Sequence, residues 1–102
     1  MIYKFHPNAE VEFNQAIDYY EAVKNHLGLE FASEVYNTIH RIIEFPNAWQ
    51  KMTFKTRRCL TNRFPFGVIY YIKNDILIIV AVMHLNKKPN YWTDRNLNET
   101  NS

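Results

Sequence analysis

The run Ile76–His84, ILIIVAVMH, constrains the fold of this chain more than any other stretch. If the run is a β-strand, its side chains alternate between two faces. One face would carry Ile76, Ile78, Val80, Val82 and His84, and the other Leu77, Ile79, Ala81, Met83 and Leu85. Both faces are apolar, so the strand should be central in a sheet that is covered on both sides.

The first half of the chain has the period of α-helices. Pro7 suits a first helical turn, and Glu10 and Glu12 follow near the positive end of the helix dipole. Apolar residues then recur at helical spacing, namely Phe13, Ala16, Ile17, Tyr20 and Leu27. Gly28 predicts a left-handed stop, and a second helix should span residues 29–44 before Pro46. So short a connection predicts an antiparallel helical hairpin.

After Pro46 the period changes to two. Strand-like runs cover residues 57–64, 66–73 and 76–84, and residues 2–5 predict a short first strand. The KND turn before the last run contains Asn74 and Asp75, which tolerate positive φ. Short connections make these three consecutive strands an antiparallel meander.

The predicted fold is therefore α+β with two layers in the order β-α-α-β-β-β. A helical hairpin packs on a mostly antiparallel four-stranded sheet, in a single domain over residues 1–95 with a polar tail at 96–102. Residues 46–56 are expected to form a loop that Trp49 or Phe54 pins to the core. Two helices cover only one sheet face, so either the C-terminal segment or a bound partner must cover the other.

Charge separates along the chain. Residues 1–46 carry three Lys or Arg against seven Asp or Glu, a net charge of −4, and the remainder carries nine against three, a net charge of +6. A basic face attracts polyanions or an acidic polypeptide. On a strand over residues 57–64, Arg57 and Arg63 would share one face. Arginine forks beside aromatic rings can grip phosphates and stack on bases, although surface cations are more often only solvated.

Several kinds of site are not expected. Cys59 is the only cysteine, so no intramolecular disulfide can form, and a reducing cytoplasmic setting fits best. No His or Cys pair has ligand spacing, and Gly28 and Gly67 form no phosphate-binding loop, so neither a metal nor a cofactor is expected. The longest apolar run is too short to span a bilayer. Acid–base chemistry would have to use His84, Tyr91 and the lysines, yet a histidine ending a strand is more often structural.

Four stretches resemble the RelE/ParE toxins of bacterial type II toxin–antitoxin systems. They are FHPNAEVEFNQAIDYYE, GLEFASEVYNTIHRIIEFP, RRCLTNRFPFGVIYYIKNDILIIVAVMHLNKKPNYW and the closing Arg95, and together they span almost all of residues 3–95. The resemblance implies a growth-inhibiting toxin that a cognate antitoxin neutralises. Some members of this superfamily are ribosome-dependent mRNA endonucleases, and others poison DNA gyrase.

The resemblance also suggests which residues act. For a metal-independent endoribonuclease, the candidate catalytic residues are His84, Arg63 and Tyr91. Contacts to a nucleic acid or another target would come from Arg57, Arg58, Lys87, Lys88, Trp92 and Arg95, although Tyr91 and Trp92 could instead simply shield the sheet. Endonuclease members typically have an arginine where this chain has Gly67, and the helical hairpin is long as in gyrase-directed members. Gyrase is therefore slightly favoured over the ribosome with its mRNA, and an inert partner-binding toxin is a further alternative.

Overall fold

A computed structural model describes residues 1–88 and 90–95. Its elements follow in the order β1 (Ile2–Phe5), α1 (Pro7–Val23), α2 (Leu27–Glu44), β2 (Gln50–Lys51), β3 (Arg57–Leu60), β4 (Phe66–Lys73) and β5 (Ile76–His84). The predicted polar tail, residues 96–102, lies outside the described residues. Across the described part of the chain, neither helix has the length and apolarity needed to cross a membrane.

The strands form one sheet in the order β1-β5-β4-β3-β2. β3, β4 and β5 make the expected antiparallel meander, and β1 pairs in parallel with β5, which is therefore central as predicted. The turn between β4 and β5 has positive φ at both Asn74 and Asp75. The sheet has five strands rather than four, because Gln50–Lys51 pairs with β3 inside the predicted loop. Trp49 packs on the core, whereas Phe54 is exposed.

The two helices form an antiparallel hairpin, since Phe13 contacts Tyr36 while Tyr20 contacts Phe31. Gly28 is not the left-handed stop that the sequence predicts, because His26 takes that conformation with φ 70° and α2 already begins at Leu27. A Cβ on Gly28 would lie 2.6 Å from the carbonyl oxygen of Ile17. Glycine is therefore required here for close helix packing.

The core between the helices and the sheet is built from the apolar faces of both layers. Seven of its large apolar side chains have no exposed surface, namely Phe31, Val35, Ile39, Ile42, Val68, Leu77 and Ile79. Burying each such side chain contributes about 1.5–3 kcal/mol. The helical hairpin therefore covers one face of the sheet, as the sequence predicts.

Strict alternation along β5 fails at a β-bulge. Ile69 pairs with Ala81 and Tyr70 with Ile79, so Val80 has no partner on β4. The extra residue shifts every later side chain to the opposite face. As a result Val82 joins the core under the helices, while Ala81 and Met83 lie on the opposite face with Ile78.

The face opposite the helices is covered by the chain itself. Trp92 is 1% exposed and packs with Ile69, Tyr71, Ile78, Val80, Ala81 and Met83, and Met52 and Tyr91 border this second core. The sequence left open whether the C-terminal segment or a bound partner covers this face, and the structure shows that it is the C-terminal segment. This surface is therefore closed to a partner, and the expected contact of Trp92 with a target must be corrected to a structural role.

Candidate functional site

The candidate site lies where β1 ends and β5 continues. β1 stops at Phe5, opposite Ile79, because His6 and Pro7 turn the chain into α1. The edge of β5 from Val80 to His84 therefore has no neighbouring strand on that side. Unpaired backbone groups at such an edge must find other partners.

Glu12 and Arg95 supply those partners. The backbone N–H of Val82 donates to Glu12 Oε1 over 3.0 Å, and Arg95 Nη1 donates to the carbonyl oxygen of Val80 over 2.7 Å. The two side chains also form a bidentate ion pair, with Nη1 2.9 Å from Oε1 and Nη2 2.6 Å from Oε2. Their side chains are only 10% and 18% exposed for Arg95 and Glu12. The bulge at Val80 is thus held by a charge pair that joins α1 to the C-terminal segment.

Tyr91 completes this cluster. Its hydroxyl donates to Glu12 Oε2 over 2.5 Å, and the cations of Lys87 and Arg95 lie 5.6 and 5.1 Å from its ring centre. Burial, followed by the hydrogen bond and charge of Glu12, raises the pKa of the Tyr91 phenol. Burial alone would lower the pKa of Arg95, but Glu12 outweighs it and the net change is upward. Tyr91 is therefore a neutral donor and Arg95 a permanent cation.

Beside this cluster runs a groove between α1 and the end of β5. One cavity of about 320 Å³ is lined by Ala16, Tyr19, Tyr20, Phe66 and His84. A second, of about 200 Å³, shares Ala16, Phe66 and His84 with the first and extends to Glu12, Gln15, Val82, Lys87 and Tyr91. The two cavities form one continuous surface, which we call the α1–β5 groove. Tyr19 projects from its wall with 65% of its surface exposed.

His84 lies in the middle of the α1–β5 groove because the bulge turns it towards the helices. Its ring packs edge-on against Phe66, with 5.0 Å between the ring centres. The backbone N–H of Asn86 donates to His84 Nδ1 over 3.0 Å, which assigns the proton of the neutral ring to Nε2. Nε2 is therefore the nitrogen that can donate to a ligand.

Arg63 does not join His84 and Tyr91. β3 ends at Leu60, so Arg63 lies in the following loop, not on the strand face that it was expected to share with Arg57. Its guanidinium bonds Glu30 of α2 at 3.0 Å and lines a separate cavity beside that helix. The loop is fixed by the hydroxyl of Thr61, which lies within hydrogen-bonding distance of two of its carbonyl oxygens and of the carbonyl oxygen of Phe66 at the start of β4. The three candidate catalytic side chains are therefore not assembled in one place.

The two strand arginines also have separate positions. Arg57 points to the helical side of the sheet and donates to the carbonyl oxygen of Trp49 over 2.8 Å. Arg58 lies on the other side, donates to Gln50 over 2.9 Å, and lays its aliphatic stem across Gly67. A Cβ at residue 67 would lie 3.0 Å from Arg58 Cγ and Cδ. The glycine thus leaves room for the neighbouring arginine stem.

The remaining candidates divide between solvent and interior. Lys87 and Lys88 are exposed, as a target-binding role requires, and Lys87 lines the groove. Trp92 is in the second core and Arg95 is committed to Glu12 and Val80, so neither side chain is presented to a target. No group of three or more His, Cys, Asp or Glu side chains in residues 1–88 and 90–95 could hold a metal ion.

Sequence patterns alone do not indicate two residues that shape this site, Glu12 and Tyr19. Glu12 was explained by the helix dipole alone, because its partners come 70 and 83 residues later in the chain. Tyr19 lies outside the apolar stripe of α1, so the helical periodicity does not mark it as a core or a site residue. An exposed large aromatic beside a stripe is the one local signal that could have identified it.

Comparison with known proteins gives two findings. A family model described as the ParE toxin of type II toxin–antitoxin system, parDE, matches residues 3–89. A solved structure entitled "Chromosomal ParDE TA system from P. aeruginosa" has a TM-score of 0.73 and 14% sequence identity, with 84% of this chain and 97% of that chain covered. No match was found among curated proteins.

Proposed function

This chain belongs to the ParE toxin family of type II toxin–antitoxin systems, and on that premise we propose that it arrests growth through DNA gyrase. We further propose that its cognate antitoxin neutralises it by occupying the α1–β5 groove. Gyrase is a cytoplasmic target, so the toxin would act in the cytoplasm. The observation that carries the choice of gyrase is the separation of Arg63 from His84 and Tyr91.

A non-catalytic mechanism is supported by what these three side chains already do. RNA cleavage without a metal needs a base, an acid and a cation around one phosphate. Arg63 is bonded to Glu30, and the hydroxyl of Tyr91 donates to Glu12 with a raised pKa. Of the candidate residues that line the groove, His84 and Lys87 remain available. Gly67 also provides no cation where endonuclease members typically have one.

The α1–β5 groove is supported as the antitoxin site by its shape and composition. It combines the exposed ring of Tyr19 with the apolar Phe66 and a polar end at Lys87. Strand alternation directs the N–H of His84 to the edge of β5 that β1 leaves uncovered. A peptide lying there could insert an apolar side chain and also bond this edge, as peptides do when they extend a sheet.

The antitoxin proposal is tested by co-expression with the product of the adjacent gene. Expression of this chain alone should arrest growth, and co-expression should restore growth and yield a complex on purification. Tyr19→Ala should weaken that complex by about tenfold, because large aromatics anchor interfaces. Val23→Ala, which changes another exposed side chain of α1, should leave it unchanged. Equal affinities for the two variants would exclude Tyr19 from the interface.

The target is tested by two assays run side by side. Purified toxin should inhibit supercoiling by gyrase, and primer extension on ribosome-bound mRNA should show no new ends. Cuts confined to the ribosomal A site would replace this proposal with the endonuclease alternative. Normal growth, supercoiling and translation, together with a stable antitoxin complex, would identify an inert toxin.

A further inference from the structure

A further cavity lies at the other end of the sheet from His84. It has a volume of about 210 Å³ and opens where the end of α2 meets the middle of β4. Its floor includes Tyr70, whose hydroxyl donates to the carbonyl oxygen of Pro46 over 2.6 Å. Pockets that enclose a whole small molecule are usually about 300–1,000 Å³. A ligand at this cavity would therefore be held only in part, with the rest extending into solvent.

The rim of this cavity is cationic. Lys51, Lys55 and Arg57 line it, and no carboxylate is found among the described residues of the lining. Arg57 is held in place because one of its nitrogens donates to Trp49, and Lys55 lies 5.1 Å from the ring centre of Tyr71. Three cations around one opening attract a ligand with several negative charges.

Phe54 stands at the same rim and is 94% exposed. Its turn is nonetheless well defined: the hydroxyls of Thr53 and Thr56 are 2.6 Å apart, and the N–H of Met52 donates to the carbonyl oxygen of Thr56 over 2.9 Å. Because the turn is already ordered, binding a ligand to its aromatic ring costs less conformational entropy. Both faces of the ring are open for stacking.

We propose that this cavity binds a single-stranded nucleic acid, with a base stacked on Phe54 and the adjoining phosphates held by Lys51, Lys55 and Arg57. Alternating rings and cations are the equipment with which proteins hold single strands without reading their sequence. An acidic polypeptide fits less well, since protein anchors usually fill dry, well-packed apolar pockets, whereas Phe54 is almost fully exposed and the apolar residues of this lining share it with three cations. This site is separate from the α1–β5 groove.

The proposal is tested with the full chain and fluorescein-labelled single strands of twelve thymidines or twelve uridines, by fluorescence anisotropy. Phe54→Ala should weaken binding by about 5- to 150-fold, the range for losing one stacked base. Phe54→Trp should retain binding, and the strand should quench its added emission. Lys51→Ala should lower the slope of log affinity against log salt by about 0.7, as for one lost phosphate contact.

The matched control is Lys24→Ala, which removes an exposed cation at the opposite end of the helical hairpin. Equal losses for Lys24→Ala and Lys51→Ala would overturn the proposal, as would undiminished binding by Phe54→Ala. A glutamate-rich peptide that binds with the same dependence on Phe54 would also overturn it, in favour of a protein partner. Antitoxin capture by Phe54→Ala separates the two proposals, because it should be normal whichever way the strand-binding assay turns out.

Discussion

At the scale of single residues, Glu12 has the most demanding position. Its two oxygens accept four hydrogen bonds, from Val82, Tyr91 and both terminal nitrogens of Arg95. Four is about the full capacity of a carboxylate, so this half-buried charge has all its hydrogen bonds. An ion pair of this kind contributes little over an apolar replacement, but losing one partner leaves a costly charge behind.

Glu12→Gln tests this position. The amide keeps the size of the side chain but leaves the charge of Arg95 without a counter-charge. The free energy of unfolding should therefore fall by about 3 kcal/mol. Urea denaturation measures the change. Asp18→Asn, on the exposed side of the same helix, should stay within about 0.5 kcal/mol of the parent. Similar midpoints for both variants would show that Glu12 carries no special role.

Tyr70 gives a prediction about pH. Burial raises its pKa to about 12, above the ordinary value of 10.0 for a tyrosine. Because the folded state holds this proton more tightly than the unfolded state, its contribution is complete below pH 10 and is lost as the pH rises towards 12. Tyr70→Phe should cost about 1 kcal/mol near pH 7 through its lost bond to Pro46. The variant should then lose less stability than the parent between pH 10 and 12, and parallel urea midpoints would contradict this.

At the scale of elements, the bulge in β5 has the largest consequence. A regular strand would place His84 on the face with Ile78, away from the helices. The unpaired Val80 instead turns His84 towards α1, where it lines the groove. One extra residue in a ladder therefore decides which face of the sheet carries the candidate site.

The helical hairpin provides the element-scale prediction, at Gly28. Glycine to alanine in a helix normally stabilises, by about 0.5–1 kcal/mol. Here the added Cβ would meet the carbonyl oxygen of Ile17 at 2.6 Å, so Gly28→Ala should instead destabilise by about 1–3 kcal/mol. Thermal unfolding followed by circular dichroism reports the sign. Asn37→Ala, on the exposed face of α2, supplies the comparison and should be neutral or slightly stabilising.

At the scale of the whole molecule, the sheet separates two cores of different origin. The first is closed by the helical hairpin, whose residues follow one another along the chain. The second is closed by the segment that contains Trp92, which is anchored to the first turns of α1 through Arg95 and Glu12. The first helix and the segment around Arg95 are thus coupled at the edge of the sheet.

Trp92→Ala tests that second core. Removing the ring should cost about 3–5 kcal/mol, as for other buried aromatics. It should also expose the apolar face around Ile78 and Val80, which increased binding of the dye ANS would report. The control is Phe54→Ala, which removes an exposed aromatic ring and should change the free energy of unfolding by no more than about 0.5 kcal/mol. If the Trp92→Ala variant keeps its stability and binds no additional ANS, other residues cover this face.

The sequence by itself determined both helices and four of the five strands, the helical hairpin, the meander and the central position of β5. Each of these follows from local periodicity and short connections, which is why β1, β4 and β5 have the predicted bounds. Of the candidate residues named from the sequence, the structure places His84, Tyr91 and Lys87 at one groove, and their roles there stay predictions.

Only the tertiary structure decided the bulge at Val80, the place of Arg63 and the cover over the second face. These depend on contacts between residues far apart in the chain, such as Glu12 and Arg95. A pattern of apolar residues indicates which side chains are buried. It does not indicate where a β-bulge occurs, or which distant charged side chain bonds the unpaired edge of a strand. That information exists only once the two layers have packed together.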